Sequence, residues 1–337
     1  MDRQDRYRGC LVGGAAGDAL GYAVEFSGEE EIRRAYGADG ITEFDCVRGV
    51  ARISDDTQMT LFTAAGLLHP EGDPVGNVWR AYGEWYLTQY HSRNDAHENF
   101  SGLMDVPELW SPRAPGRTCL GAIAGGTPGT PKRPINRSKG CGGVMRAAPA
   151  GLISPENAMN AAILGAETSA LTHSHDLGWL PGAMLAHMVS ELVSIDNLPM
   201  DEAADRAIHA ITYEYSDAPH LAEFIDLMGM AVTLAHCDKP DLDAIHALGE
   251  GWVGDEAMAI ALFCAVRHET DFARGIIAAV NHRGDSDSTG AIAGNLLGAH
   301  LGYAAIPEAF KTTLELRPLL LDIADRLYER TRERMES

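Results

Sequence analysis

No apolar run among the 337 residues approaches the ~20 needed to cross a bilayer, and the opening MDRQDRYRGC lacks the apolar centre of a signal peptide. No membrane association is expected, and the cytoplasm is the expected place of action. The six cysteines, at positions 10, 46, 119, 141, 237 and 264, include no CxxC pair. Their scatter excludes a disulfide framework or a cysteine zinc site and fits reduced thiols. Basic residues are few, 27 against 48 acidic, for a formal net charge of −21. Such a chain repels phosphate backbones, so nucleic acid is not an expected partner. Convincing alternation of apolar and polar residues, the mark of a half-buried strand, is missing as well.

What remains is helix. A composition of 45% hydrophobic and 22% charged residues can bury a substantial core. Apolar residues at 3.6-residue spacing predict helices over roughly 55–68, 76–90, 155–169, 179–194, 200–213, 221–236, 255–267, 270–280, 288–303 and 316–331. Ser154 with Pro155 reads as a cap and first turn, and Asp271 caps the helix that follows it. The expected fold is all-α, an orthogonal multi-helix bundle forming one domain over residues 1–337. Arg93–Pro149 is the exception. It is rich in glycine and proline, with only a short helical patch at Thr118–Ala124, and so long an irregular connection is usually a functional loop or a linker.

The chain is organised around Asn281–Gly302, NHRGDSDSTGAIAGNLLGAHLG. Gly290, Gly294, Gly298 and Gly302 recur every four residues, which places them on one helical face and invites a second backbone to approach. Gly13, Gly17 and Gly21 in GCLVGGAAGDALGYAVEF offer a matching face. Asp285, Asp287, Ser288 and Thr289 crowd oxygens at the start of the glycine-faced helix, where they could act as simple caps. An EF-hand loop is excluded, because its twelfth position would be Leu296 where a bidentate Glu is required.

A second oxygen-rich cluster, ISDDTQMT at Ile53–Thr60, opens another apolar helix with Ser54, Asp55 and Asp56. Capping needs one of these groups, and adjacent carboxylates repel unless solvated or bridged by a cation. Hydroxyl and carboxylate oxygens suit Mg²⁺ or Mn²⁺ better than zinc. If both clusters meet, a two-metal site follows. In SKGCGGVMRAAP, Gly140, Gly142 and Gly143 flank Cys141, with Lys139 before them, and could cradle an anion or serve only as architecture. His173-Ser174-His175-Asp176 suggests a transition-metal site, yet no further His or Cys cluster completes it; a structural histidine or a substrate contact is the expected role. No His-Asp arrangement can be assigned to Cys141 as a nucleophile.

Taken together, GDALGYAVEF, SDDTQMT, SKGCGGVMRAAP, THSHD, GWVGDEAMAIAL and NHRGDSDSTGAIAGNLLGA closely resemble the ADP-ribosylglycohydrolase family, the ADP-ribosyl-acceptor hydrolases that include dinitrogenase reductase-activating enzymes. The blocks occur in family order, from residue 9 to about residue 303. The resemblance implies an all-α fold with two Mg²⁺ or Mn²⁺ ions that hydrolyses the bond joining ADP-ribose to a protein side chain, releasing ADP-ribose. It implies Ser54, Asp55, Asp56, Asp285, Asp287 and Ser288 as metal ligands. Glu25 matches the acidic residue beside the metals and the reacting ribose, which with Asp55, Asp56 and Asp287 makes the catalytic set. Lys139, Gly140, Cys141, Gly142, Gly143, Met145 and His173 match segments lining the ADP-ribose cleft. Arg283 replaces an expected glycine, and His175-Asp176 replaces a common histidine-proline pair; both bear on acceptor preference and leave the ligands intact. The expected linkage is the N-glycosidic bond to arginine. The alternatives are a serine or other O-linked acceptor, or a catalytically silent ADP-ribose binder or structural relative.

Overall fold

The computed structural model describes residues 2–95 and 97–336. Among the described residues there are fifteen α-helices and no β-strand, only isolated bridges. The first five helices are α1 (Arg3–Tyr22), α2 (Glu29–Tyr36), α3 (Asp55–Leu68), α4 (Pro74–Tyr90) and α5 (Arg117–Ala124). A 3₁₀ turn at Cys141–Arg146 leads into α6 (Ala148–Ile153), α7 (Ala158–Ala170), α8 (Asp176–Ser194), α9 (Met200–Glu214) and α10 (Leu221–Ala235). The last five are α11 (Asp241–Leu248), α12 (Gly254–Arg267), α13 (Phe272–Val280), α14 (Ser286–Leu301) and α15 (Arg317–Glu336).

The contact that organises the bundle is α1 against α14, and it depends on missing side chains. Gly9, Gly13 and Gly17 face Gly298, Gly294 and Gly290, and a Cβ on any of the six would overlap a carbonyl oxygen across the seam. Each glycine costs helix propensity of ~1 kcal/mol against alanine, which the close backbone packing offsets. Partner numbers fall along α14 as they rise along α1, so the helices run antiparallel. Asn295 locks the pair by donating from Nδ2 to the Cys10 carbonyl at 2.8 Å. Gly302 ends α14 at a φ of 81°, with its backbone against Gly9 at the end of the seam. The consequence for function is positional: the end of α1, with Glu25 just beyond it, lies beside the start of α14 with Asp285 and Asp287.

Helices α2, α6 and α11 carry little periodic signal, for different reasons. Only Ile32 is buried in the acidic α2, whereas every residue of α6 is buried, so neither shows an apolar stripe. In α11 the helix lasts eight residues. Helix α8 begins at Asp176, earlier than its apolar pattern suggests, because Pro181 reads as a first-turn residue but sits one turn further in.

Candidate metal centre and active-site cleft

The two acidic helix starts meet in one cleft of about 220 Å³, lined among others by Glu25, Asp55, Asp56, Asp285, Asp287 and Ser288. Carboxylate oxygens of Glu25, Asp285 and Asp287 come within 4.8 Å of one another. Local geometry separates capping from this gathering. Ser54 caps α3, its hydroxyl accepting from Asp56 N–H at 3.1 Å, which leaves both neighbouring carboxylates free of that duty. Asp55 accepts from Gly116 N–H at 3.0 Å. At α14, Asp285 occupies the cap position without a side-chain cap bond.

Three buried oxygens, Glu25 Oε2, Asp56 Oδ1 and Asp285 Oδ2, have no hydrogen-bond partner. Burial, reinforced by Asp287, pushes the Asp55, Asp56 and Asp285 carboxyls well above the usual carboxylate range. Glu25 rises to about 10, again from burial first and then from Asp287 and Asp285. Buried carboxylates that repel and lack donors are a poor arrangement for a protein alone, and an all-oxygen set fits hard divalent cations. The residues present therefore fit the metals that the resemblance implies.

Asp18 holds this wall in place, and no role for it was assigned from sequence. It is fully buried in α1 and accepts from Ser54 N–H at 3.0 and 3.1 Å and from Thr57 N–H at 3.1 Å, besides a short contact with the Thr57 hydroxyl. The first turn of α3 is thereby fastened to α1. Burial and the charge of Asp287 raise its carboxyl to about 7. The available signal was a carboxylate in the interior of a small-residue helix, where a charge must have partners.

The opposite wall is a glycine turn. Gly140, Cys141, Gly142, Met145 and His173 line the cleft. A Cβ on Gly142 would come within 2.8 Å of the His173 ring, and one on Gly143 would overlap the Gly178 carbonyl, so these glycines serve close packing. Two N–H groups at the start of this turn are already used, Gly140 donating to Ser138 Oγ at 3.4 Å and Cys141 to the Trp252 carbonyl at 3.3 Å, both long contacts that an anion would have to displace or share. His173 is held neutral, its pKa lowered to about 3 by burial and by Arg146. Arg146 Nη2 donates to the Thr172 hydroxyl at 2.5 Å, and that hydroxyl is hydrogen-bonded to His173 Nδ1 at 2.8 Å. The Nε2 edge of the neutral ring faces Gly140 and Gly142, where it can donate or accept according to the tautomer.

Not every sequence candidate reaches the cleft. Lys139 lies off this lining, its amine 3.9 Å from Asp255, while its carbonyl accepts from Gly254 N–H at 2.7 Å. Gly143 and Ser54 stand behind the lining. The Cys141 thiol is pushed well above its ordinary value by burial and by Asp285 and Asp56, which removes it as a nucleophile. The cleft also includes Ala114, Gly116, Arg117, Thr118, Cys119 and Trp252, which sequence spacing did not indicate. Ala114 has a φ of 52°, unusual for a residue with a Cβ, and marks where the irregular segment bends into the site.

Fold and site define a helical hydrolase with one carboxylate wall and one glycine wall. The family model described as ADP-ribosylglycohydrolase matches residues 1–337, and the chain belongs to that family. It is similar to ADP-ribosyl-[dinitrogen reductase] glycohydrolase of Rhodospirillum rubrum, 25% identical with 93% of this chain and 91% of the relative covered. Similarity to ADP-ribosylhydrolase ARH3 of Danio rerio is 24%, covering 96% and 90%. A solved ADP-ribosylglycohydrolase-related protein complex shares the fold, with a TM-score of 0.65 at 24% identity over 98% of this chain and 99% of that one.

Proposed function

We propose that this protein is a metal-dependent hydrolase that removes ADP-ribose from modified protein side chains, with the N-glycosidic bond to arginine as its preferred linkage. The observation that carries this is the placement of five buried, mutually repelling carboxylates opposite an uncharged wall formed by the glycine turn and a neutral His173. The family and the names of the two relatives support it.

Asp55, Asp56, Asp285, Asp287 and Ser288 would hold two Mg²⁺ or Mn²⁺ ions, with Ser54 fixing Asp55 and Asp56 from the cap of α3; when bound, the ions orient ribose hydroxyls and lower the pKa of a water. The glycine turn at 140–143 takes the diphosphate on its N–H groups. His173 can add a donor through Nε2 and Met145 packs under the ligand, while Lys139, off the lining beside Asp255, acts by holding the turn through its carbonyl. The anomeric carbon then faces the carboxylate wall, where negative charge favours oxocarbenium character as the glycosidic bond breaks. Neutralising its neighbours removes the charge repulsion that adds to burial in keeping Glu25 protonated, and so favours the ionised form that accepts a proton from water. A guanidine leaves poorly as an anion, so it must depart with its protons, and Glu25 can hydrogen-bond the cationic group as it goes. GDALGYAVEF and SDDTQMT resemble the bacterial arginine-directed members in this respect. The six free thiols suit action in the cytoplasm.

The test is release of ADP-ribose from matched peptides linked through arginine or serine, with Mg²⁺ and Mn²⁺ compared. Faster release from arginine is expected, and Glu25→Gln should lower turnover by ~10²–10⁴-fold while ADP-ribose still binds. Faster release from serine transfers the assignment to the O-linked alternative. No release from either, with ADP-ribose bound, makes the protein a binder.

A further inference from the structure

Outside the cleft, one cluster has a different donor chemistry. His175 precedes α8 as its cap residue, Asp176 is the first residue of that helix, and His220 arrives from the turn before α10. Asp176 is 7% exposed, against 22% for His175 and 43% for His220. His220 Nδ1 lies 2.8 Å from Asp176 Oδ1, and its backbone N–H donates to Oδ2 at 2.6 Å. His175 Nδ1 lies 2.9 Å from Oδ1. Two imidazole nitrogens and one carboxylate oxygen therefore sit within 4.8 Å of one another. Spacing in the sequence shows His175 and Asp176 only; the third member is 44 residues beyond Asp176.

The contact between His175 and Asp176 has too many acceptors. Leu177 N–H points at His175 Nδ1 and at Asp176 Oδ1, each 3.1 Å away. A ring nitrogen that accepts this N–H carries no proton, so it meets the carboxylate lone pair to lone pair. A cation among the three atoms removes that repulsion and uses both lone pairs.

We propose that His175, Asp176 and His220 bind one borderline divalent cation, with Zn²⁺ the best match to two imidazoles and a carboxylate. Zinc bonds of ~2.0–2.2 Å place tetrahedral ligands ~3.3 Å apart, so the group needs to open by about half an ångström. A cavity of about 680 Å³ beside it, bordered by Asn136, Arg137, Trp179 and Pro219, has room for water as a fourth ligand. The nitrogen donors make this site unlike the oxygen-only cleft, which suits Mg²⁺. Its position also gives the ion a structural effect. His175 N–H donates to the Ser138 carbonyl at 3.3 Å, and His173 is two residues away, so the ion ties the glycine wall to the turn before α10.

The experiment strips the full chain with a chelator, restores saturating Mg²⁺, and titrates Zn²⁺ calorimetrically, with Co²⁺ as a spectroscopic substitute. One Zn²⁺ per chain and the intense visible bands of tetrahedral Co²⁺ are expected. His220→Ala should weaken Zn²⁺ by more than the ~100-fold that loss of an outer-shell partner costs, and abolish the bands. His175→Ala should do the same, so a folding defect in one variant leaves the other to decide. Asp285→Asn should keep both signals. Absence of stoichiometric Zn²⁺ in the native chain overturns the proposal and leaves an ordinary histidine–aspartate hydrogen bond. Retention in both histidine variants, or loss in Asp285→Asn, overturns it equally, because the ion then sits in the acidic cleft.

Discussion

The two walls of the cleft solve opposite electrostatic problems. On one, the starts of α3 and α14 and the turn after α1 bring together carboxylates of which Glu25, Asp56 and Asp285 each keep an oxygen without a donor and have proton affinities raised by burial and by neighbouring carboxylates. On the other, the turn at 140–146 has no carboxylate of its own and offers backbone N–H groups, with His173 kept neutral. One wall asks for cations and the other for an anion. A ligand carrying a diphosphate at one end and a ribose at the other satisfies both, and neither wall alone specifies it. The difference also explains how a chain with a net charge of −21 can hold an anionic ligand: the glycine wall takes it through uncharged donors.

Removing a ligand from the carboxylate wall should give the largest effect. Asp287→Asn is expected to abolish ADP-ribose release and to lower metal stoichiometry, with the helical circular-dichroism spectrum intact. Isothermal titration with Mn²⁺ and a turnover assay check both. Unchanged stoichiometry and activity would remove Asp287 from the centre. Asp18→Asn comes next. It keeps the side-chain shape but replaces one accepting oxygen by an amide NH₂ that faces the Ser54 and Thr57 N–H groups donor to donor, which loosens the first turn of α3. Metal affinity should fall by ~10–100-fold, the usual cost of disturbing the support of a ligand, while ADP-ribose binding to the glycine wall changes little. Equal losses on both walls would show that Asp18 supports the whole fold.

How much of this was legible in the sequence differs between the walls. Fourfold glycine spacing predicted that the α1 and α14 backbones meet, and they do, although such spacing is compatible with many pairings and the register, with Gly9 included and Gly21 set against Ser286, came from the packing. The oxygen clusters were legible as clusters. That Asp285 and Asp56 keep unpartnered oxygens while Ser54 does the capping was not, since capping geometry is decided by local backbone angles. Trp252 lies in a block that the resemblance marked and 114–119 in the irregular segment read as a loop or linker, but that these particular residues line the cleft follows only from tertiary packing. His220 is the same case outside the cleft: a lone histidine acquires chemistry from residues far away in the chain.

A smaller change should expose the glycine wall. In Gly142→Ala the new methyl would stand 2.8 Å from His173 Cε1 and 3.0 Å from Cys119 Sγ, so the imidazole must shift. Both donors to the anion are displaced together. The dissociation constant for ADP-ribose should rise about tenfold, or ~1.4 kcal/mol, with Mn²⁺ affinity unchanged. Gly142→Val tests the same contact more severely. Unaltered ADP-ribose affinity in a folded variant makes the turn architecture only.

The smallest effect is read from stability and concerns the carboxylate wall by itself. Without cations, the folded chain keeps Glu25 protonated up to about 10, and Asp55, Asp56 and Asp285 also hold protons above their ordinary range. The unfolded chain releases those protons near the usual carboxylate values, so between the two limits the folded state binds more protons. Stability of the metal-free protein must then fall as pH rises, with the loss under way at pH 6 and greater at pH 8. Cations compete with these protons, so they bind better and stabilise more at pH 8. At a hundredfold excess over its dissociation constant, one bound ion contributes about 2.7 kcal/mol. The gap in melting temperature between Mg²⁺ and chelator, measured by differential scanning calorimetry, should therefore be several degrees at pH 8 and narrower at pH 6. Asp287→Asn should shrink the gap at both pH values, whereas Gly142→Ala should leave it alone. A gap independent of pH would mean that Mg²⁺ binds somewhere other than the wall on which these protons are held.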